Sequence, residues 1–310
     1  MNFIKTTLLE KFILTLIFCL LILLIANIYK KEGFHNNVSK NIIIKKGNDI
    51  FDNYYVNIYD DILNNTTKNN DDIYIIRNNT NFTNKSKILD IGCGTGHHVN
   101  LFNMQNKNSA IGIDNSRAMI EKSRENYPDS IYKLCNGLNS LEFQYDAFSH
   151  ITCLNLTIYY IKNKQQLFNN CYNWLIPHGV LVLNLVNSKL FNAITSLAYD
   201  ADQKPLQHNC NKQLTKCNIK FNTLDYKSDF KLNNNIDANT TSLNEPNAIL
   251  KESFISKDSN NIRINEHKLY MSTRQSIINM AMKLGFIMKS EQKYSDSKYK
   301  ENYLYIFEKP

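Results

Sequence analysis

The 310-residue chain is sparing with the residues that bend or staple a backbone. It holds nine glycines, five prolines and one tryptophan. So little glycine and proline excludes collagen-like and low-complexity architectures. Cysteine occurs seven times, at positions 19, 93, 135, 153, 171, 210 and 217, but never as a Cys-x-x-Cys pair. The odd count and wide spacing exclude a disulfide framework and point to a reducing compartment. His208 with Cys210 and Cys217 is the one group with ligand-like spacing. No second ligand pair follows it, so no metal site is expected. A concentrated patch of one charge is also missing. The formal charge is +8, but the lysines are scattered, which describes a solvated surface rather than a nucleic-acid footprint. No internal repeat is visible.

Long, almost wholly apolar runs are absent too, with one exception. Residues 12–28, FILTLIFCLLILLIANI, carry no charge and no polar stripe. As a helix the run spans about 26 Å, close to the hydrocarbon thickness of a bilayer. Tyr29, Lys30 and Lys31 follow it as interfacial residues. Lysines are more numerous after the run than before it, which orients the remainder toward the cytoplasm. A single-pass anchor over residues 1–31 is therefore expected, with the long C-terminal part cytoplasmic.

The rest divides by pattern. Residues 32–85 read as a polar tether plus an amphipathic helix over 49–63, followed by an Asn/Asp/Thr-rich loop. Residues 86–187 alternate short apolar runs with helical segments, and the apolarity within each run is continuous. That is the mark of a parallel sheet covered on both faces, hence a doubly wound, mainly parallel α/β core. Residues 188–271 form a polar insertion, expected to be partly disordered and to set acceptor specificity, with strands expected near 217–221, 226–232 and 250–255. Residues 272–310 return to order with a helix over 273–284 and two closing strands.

Against this scarcity of glycine, three of the nine fall within five positions, in KILDIGCGTGHHVN at Gly92, Gly94 and Gly96. A glycine turn after the first strand lets backbone approach a ligand closely. Asp90, at the strand tip, would repel a pyrophosphate but can accept hydrogen bonds from a cationic amino group. Asp114, at the end of the next strand, is positioned for two ribose hydroxyls. An amino group, a ribose and an adenine without phosphate describe S-adenosylmethionine.

With these residues in view, the chain resembles the class I S-adenosylmethionine-dependent methyltransferases. ILDIGCGTG is similar to that family's first motif, and GIDNSRAMIEKSR resembles its second, with Met119 on the adenine side. CNGL, FSHITCLNLTIYYI and WLIPHGVLVLNLV resemble the later motifs, departing at Asn136, Ser149 and His178. The resemblance implies a Rossmann-like fold and a cofactor site of Asp90, Gly92, Cys93, Gly94, Gly96, Asp114, Asn115, Met119, Asn136, Gly137 and Asn155. It further implies that Tyr54, Tyr55 or Tyr59 caps the cofactor and that Tyr159 and Tyr160 line an acceptor pocket. Closest in pattern are small-molecule enzymes related to quinone biosynthesis. No Asn/Asp-Pro-Pro-Tyr motif is present, which argues against methylation of nucleic-acid bases.

No catalytic residue is assigned. A general base is needed only if the acceptor must lose a proton. His150 reads as packed within a strand and His178 as distant, leaving His267 as the candidate. The expected acceptor is a lipid, a quinone-like small molecule or a membrane-adjacent protein. A catalytically inactive binding module on the same fold is the alternative. Oligomeric state is not read from the sequence.

Overall fold

The computed structural model describes residues 7, 13, 15–24, 41–63, 66–105, 109–195, 197, 213–234, 245–259 and 261–310. The chain divides into two units, residues 1–41 and 42–310. In the first, residues 15–24 are helical and exposed. No helix among the described residues is long and apolar enough to cross a membrane. The remainder of the expected span, most of the expected tether, and His208 with Cys210 lie outside the described residues.

The second unit is built on a seven-stranded sheet. Five strands run parallel: β2 (Ile88–Ile91), β3 (Ala110–Asp114), β4 (Ile131–Leu134), β5 (Phe148–Cys153) and β6 (Leu175–Val186). The closing strands β11 (Ile287–Lys293) and β12 (Asn302–Glu308) are antiparallel, and the order is β11-β12-β6-β5-β2-β3-β4. Alternate side chains of each central strand feed opposite layers, as a period of two requires. Ile88, Val182 and Ile306 pack with Ile76, Val99 and Phe102 on one face. Leu89, Leu181 and Phe307 pack with Leu167, Trp174 and Ile277 on the other. The helices supplying those layers are α2 (Thr66–Asn79), α3 (His97–Gln105), α6 (Lys164–Trp174) and α7 (Arg274–Lys283), while α4 (Arg117–Asn126) covers β3 and β4. The short α5 (Thr157–Tyr160) follows β5.

A second sheet forms in the insertion, where three of its strands were expected. Its order is β1-β10-β9-β8-β7, from β1 (Ile42–Lys46), β7 (Lys216–Lys220), β8 (Leu224–Leu232), β9 (Ala248–Ser256) and β10 (Ile262–Leu269). Three sequence expectations are corrected here. The end of the tether is strand β1, paired parallel to β10. The Asn/Asp/Thr-rich stretch is largely α2, whose buried positions include Lys68, Asn69 and Asp72 beside Ile73 and Ile76. Strand β10 has no counterpart in the sequence reading, because three of its inward residues are Arg263, Asn265 and His267. In both elements, hydrogen-bonded polar groups occupy positions where the pattern demands apolar ones.

His150 is buried between Ser149 and Thr80, whose hydroxyls lie 2.8 and 3.1 Å from its ring nitrogens. Burial lowers its pKa from 6.5 to about 4. The unfolded chain therefore binds the extra proton first, and this group's contribution to stability falls as pH drops from about 6.5 to 4. Measured against His150→Gln by urea unfolding, the wild type should lose as much as about 3 kcal/mol across that window.

Candidate functional site

The site begins where β2 ends. Gly92 has φ +71° and donates its N–H to the Ile113 carbonyl at 2.8 Å. A Cβ there would sit 2.4 Å from the Thr157 methyl. The turn is held by Asp114, which accepts the Gly94 N–H at 3.1 Å and the Ser116 N–H at 2.9 Å. Burial raises the Asp114 pKa against these stabilising N–H groups. Ser116 caps α4 by accepting from the Met119 N–H at 3.2 Å, and its own hydroxyl donates to the Phe51 carbonyl at 2.8 Å. Helix α1 (Asn53–Leu63) clamps the turn from outside: Asp60 accepts from Thr95 at 2.6 Å and Asn126 at 3.2 Å.

Asp90 lies beneath the turn, 2% exposed, and accepts from the Thr152 hydroxyl at 2.7 Å. Burial pushes its pKa up to about 6. A neighbouring polar network joins Lys68 to Asp72 at 2.9 Å and to Asn155 at 3.0 Å, with His98 and Tyr294 also on Asp72. The sequence reading missed Lys68, Asp72 and His98; no spacing signal marks them.

A cavity of about 600 Å³ opens onto all these elements. Ten of the eleven expected cofactor residues line it: Asp90, Gly92, Cys93, Gly94, Asp114, Asn115, Met119, Asn136, Gly137 and Asn155. Gly96 does not. Its φ of +91° and the Tyr132 ring, 2.6 Å from where a Cβ would stand, give it a turn-forming place instead. The Asn136 side-chain oxygen already accepts from the Leu138 N–H at 3.0 Å. Tyr55 and Tyr59 face the cavity; Tyr54 lies outside it, beneath the Arg263 guanidinium at 4.9 Å.

The far wall comes from the second sheet. Tyr160 lines the cavity, but Tyr159 does not: it is buried in the core, its hydroxyl accepting from the Val186 N–H at 2.9 Å. His267 also lines it, unlike His150 and His178. Its Nδ1 lies 2.9 Å from the Tyr160 hydroxyl, and its Nε2 lies 2.8 Å from Glu252. Glu252 is fully buried and accepts from Tyr226 at 2.8 Å. Burial alone would raise its pKa, but the hydrogen bond and charge of His267, with Tyr55 and Tyr226, hold it below the usual value. In the neutral ring the carboxylate takes the Nε2–H, which leaves Nδ1 to accept from the Tyr160 hydroxyl. Both ring nitrogens are engaged, so His267 meets a ligand through Tyr160 rather than directly. Glu252 and Tyr226 escaped the sequence reading, since an isolated acid in a polar segment has no motif.

Residues 88–179 match the family model described as a methyltransferase domain. The chain is 30% identical over 109 residues to the carboxy-S-adenosyl-L-methionine synthase of Trichodesmium erythraeum, covering 32% of this chain and 42% of that one. It spans about half the length, or less, of the curated relatives it matches first. Among solved structures it is similar to an S-adenosylmethionine-dependent methyltransferase from Clostridium acetobutylicum, with TM-score 0.57, 18% identity, and coverage of 83% of this chain and 98% of that one. It is likewise similar to the CcbJ methyltransferase from Streptomyces caelestis, with TM-score 0.59, 14% identity, and coverage of 82% and 95%. At these identities the structural likeness speaks for the fold.

The glycine turn has a direct test. Gly92→Ala should destabilise the protein by more than about 3 kcal/mol, combining a left-handed backbone penalty with the Thr157 clash. Gly47→Ala, at φ +57° with nothing within 4 Å, should cost only about 1–2 kcal/mol. Denaturant midpoints of the two variants check the difference.

Proposed function

We propose that this chain, whose residues 88–179 belong to the class I S-adenosylmethionine-dependent methyltransferases, transfers a methyl group to a small-molecule acceptor bound beneath its second sheet. The observation that carries the reading is one cavity with two differently built ends. S-adenosylmethionine supplies an electrophilic methyl on a cationic sulfur, so its leaving group needs no protonation. What remains for the protein is alignment, exclusion of water and, where the acceptor carries a proton, its removal.

At the first end, each Asp114 oxygen holds one backbone N–H and keeps lone-pair capacity for a ribose hydroxyl. Asp90, short of donors in its buried position, suits an ammonium group. Lys68, on the same wall, suits a carboxylate. At the other end, Tyr160 presents its hydroxyl with His267 and Glu252 behind it. An acceptor proton would pass to the Tyr160 oxygen as the Tyr160 proton moves to His267 Nδ1. The ionised Glu252 would stabilise the resulting imidazolium.

The same reading keeps residues 12–28 as a membrane anchor with the catalytic unit on the cytoplasmic side. Its support is the uncharged run, about 26 Å long as a helix, and the lysine excess that follows it. A lipid or quinone-like acceptor is then the natural partner.

Calorimetric titration of the detergent-solubilised full chain should show S-adenosylmethionine binding. Asp90→Asn should weaken it at least about tenfold, through loss of one charge-assisted hydrogen bond. Ligand-free Asp90→Asn should nevertheless melt higher at pH 7. The folded-state pKa of Asp90 is raised from 3.8 to about 6, so its ionisation disfavours the fold increasingly from pH 4 to 6, reaching on the order of 3 kcal/mol. Wild-type affinity should accordingly decline as pH falls below about 6. A folded wild-type chain that gives no binding heat would sink the enzyme reading.

A separate check addresses the other end. With an acceptor in hand, Tyr160→Phe and His267→Gln should lower kcat while leaving S-adenosylmethionine affinity within about twofold, a split of the kind that marks an interaction made in the transition state. Equal loss of cofactor binding would remove the proton path from the scheme.

A further inference from the structure

Apart from Lys268, which also lines the cavity, the outer face of the second sheet lies away from it. Strand alternation sets Tyr226, Glu252, Phe254, Arg263 and His267 inward, where all five are buried. The residues between them point the other way. In register on that outer face stand Ile42 beside Ile262, Ile44 beside Ile264, and Ile255 beside Ile262. Ile42 and Ile44 are 54% and 56% exposed. They lie on β1, an edge strand whose free side pairs with no described strand. Five isoleucines thus form one aliphatic corner on a surface strand.

The same face is basic. Lys46, Lys251 and Lys268 border the corner, and Lys216, Lys220, Lys227 and Lys231 continue across β7 and β8. The acids in register with them are Glu266, Asp225 and Asp229. An apolar patch rimmed by an excess of lysine is what a surface needs to sit among anionic headgroups. Each lysine near such a surface adds to the attraction, which salt screens. Position supplies the second argument: β1 is the first of the described strands and follows in sequence the uncharged run that ends at residue 28.

We infer that the outer face of the second sheet docks on an anionic lipid surface through its isoleucine corner and lysine rim. The inference rests on the anchor reading of residues 12–28, and it adds a fixed orientation to that tether. Docking would hold the domain with the glycine turn and the cavity behind the sheet. The exposed cavity-lining residues Gly47 and Asn48, which directly follow β1, would then lie beside the bilayer.

The single tryptophan, Trp174, is 1% exposed and gives a constant background. Full-length Ile44→Trp is mixed with vesicles of zwitterionic lipid, or of zwitterionic plus anionic lipid, each with and without brominated chains. The expected result is flotation with both vesicle types. The introduced indole should shift to the blue and be quenched by brominated lipid only where anionic lipid is present. That quenching should be lost at 1 M salt, where the screening length falls to about 3 Å. It should also be lost in Ile44→Trp combined with Lys251→Glu and Lys268→Glu. Leu141→Trp, at a 90% exposed loop position, should stay unquenched. Flotation without quenching would overturn the docking face and leave the anchor standing. Absence of flotation would overturn both. Quenching at both tryptophan positions would overturn the specificity of the face. A stable dimer of the wild type that Ile44→Trp abolishes, with no quenching, would assign the corner to a second copy instead.

Discussion

The glycine-turn end of the cavity depends on a carboxylate engaged within the fold itself. Asp114 takes the N–H groups of Gly94 and Ser116 and so fixes the glycine turn against the start of α4. Ser116 passes the constraint on, through its hydroxyl, to the Phe51 carbonyl. One residue earlier, the Ile50 carbonyl accepts from Arg263 at 2.8 Å, and Arg263 also holds Asp52 and Asn265. A line of hydrogen bonds therefore runs from the first-motif glycines to the inner face of the second sheet. The two ends of the cavity are set relative to one another by these bonds rather than by apolar contact alone.

Three buried carboxylates show how donors decide ionisation. Asp72 receives Lys68, His98 and Tyr294 and is held below its usual pKa despite complete burial. Glu252 receives His267 and tyrosine hydroxyls and behaves likewise. Asp90 has Thr152 and is pushed up to about 6. The first two are furnished by the fold itself. The third is under-furnished where it meets the cavity, which is the arrangement of a group completed by its ligand.

The central sheet was legible because β2, β3 and the later half of β6 are short, nearly unbroken apolar runs and because glycine, in a chain that uses it so little, clusters after β2. Asp90 and Asp114 were legible through their spacing from that cluster. The second sheet was less so. Strands β8 and β9 carry enough aromatic and aliphatic residues to register, but β10 buries Arg263, Asn265 and His267 in hydrogen bonds that only the fold supplies. Helix α2 hid for the same reason, with Lys68 and Asp72 on its buried side. Tyr159 and Tyr160 differ by one position and therefore by about 100° around the turn of α5, which separates a core residue from a cavity residue. Hydropathy cannot make that distinction for two identical side chains.

The parallel pairing of β1 with β10 carries a consequence for biosynthesis. Residue 42 meets residue 262, so β1 waits for a strand made some 220 residues later. The other sheet has a similar delay: β12, made after the other described strands of that sheet, is interior, lying between β6 and β11. Contacts of such sequence separation form slowly and leave strand edges open meanwhile. During translation, β1 with its three consecutive isoleucines emerges without its partner. The interval before residue 269 leaves the ribosome is thus when this chain is most vulnerable to pairing with the wrong neighbour.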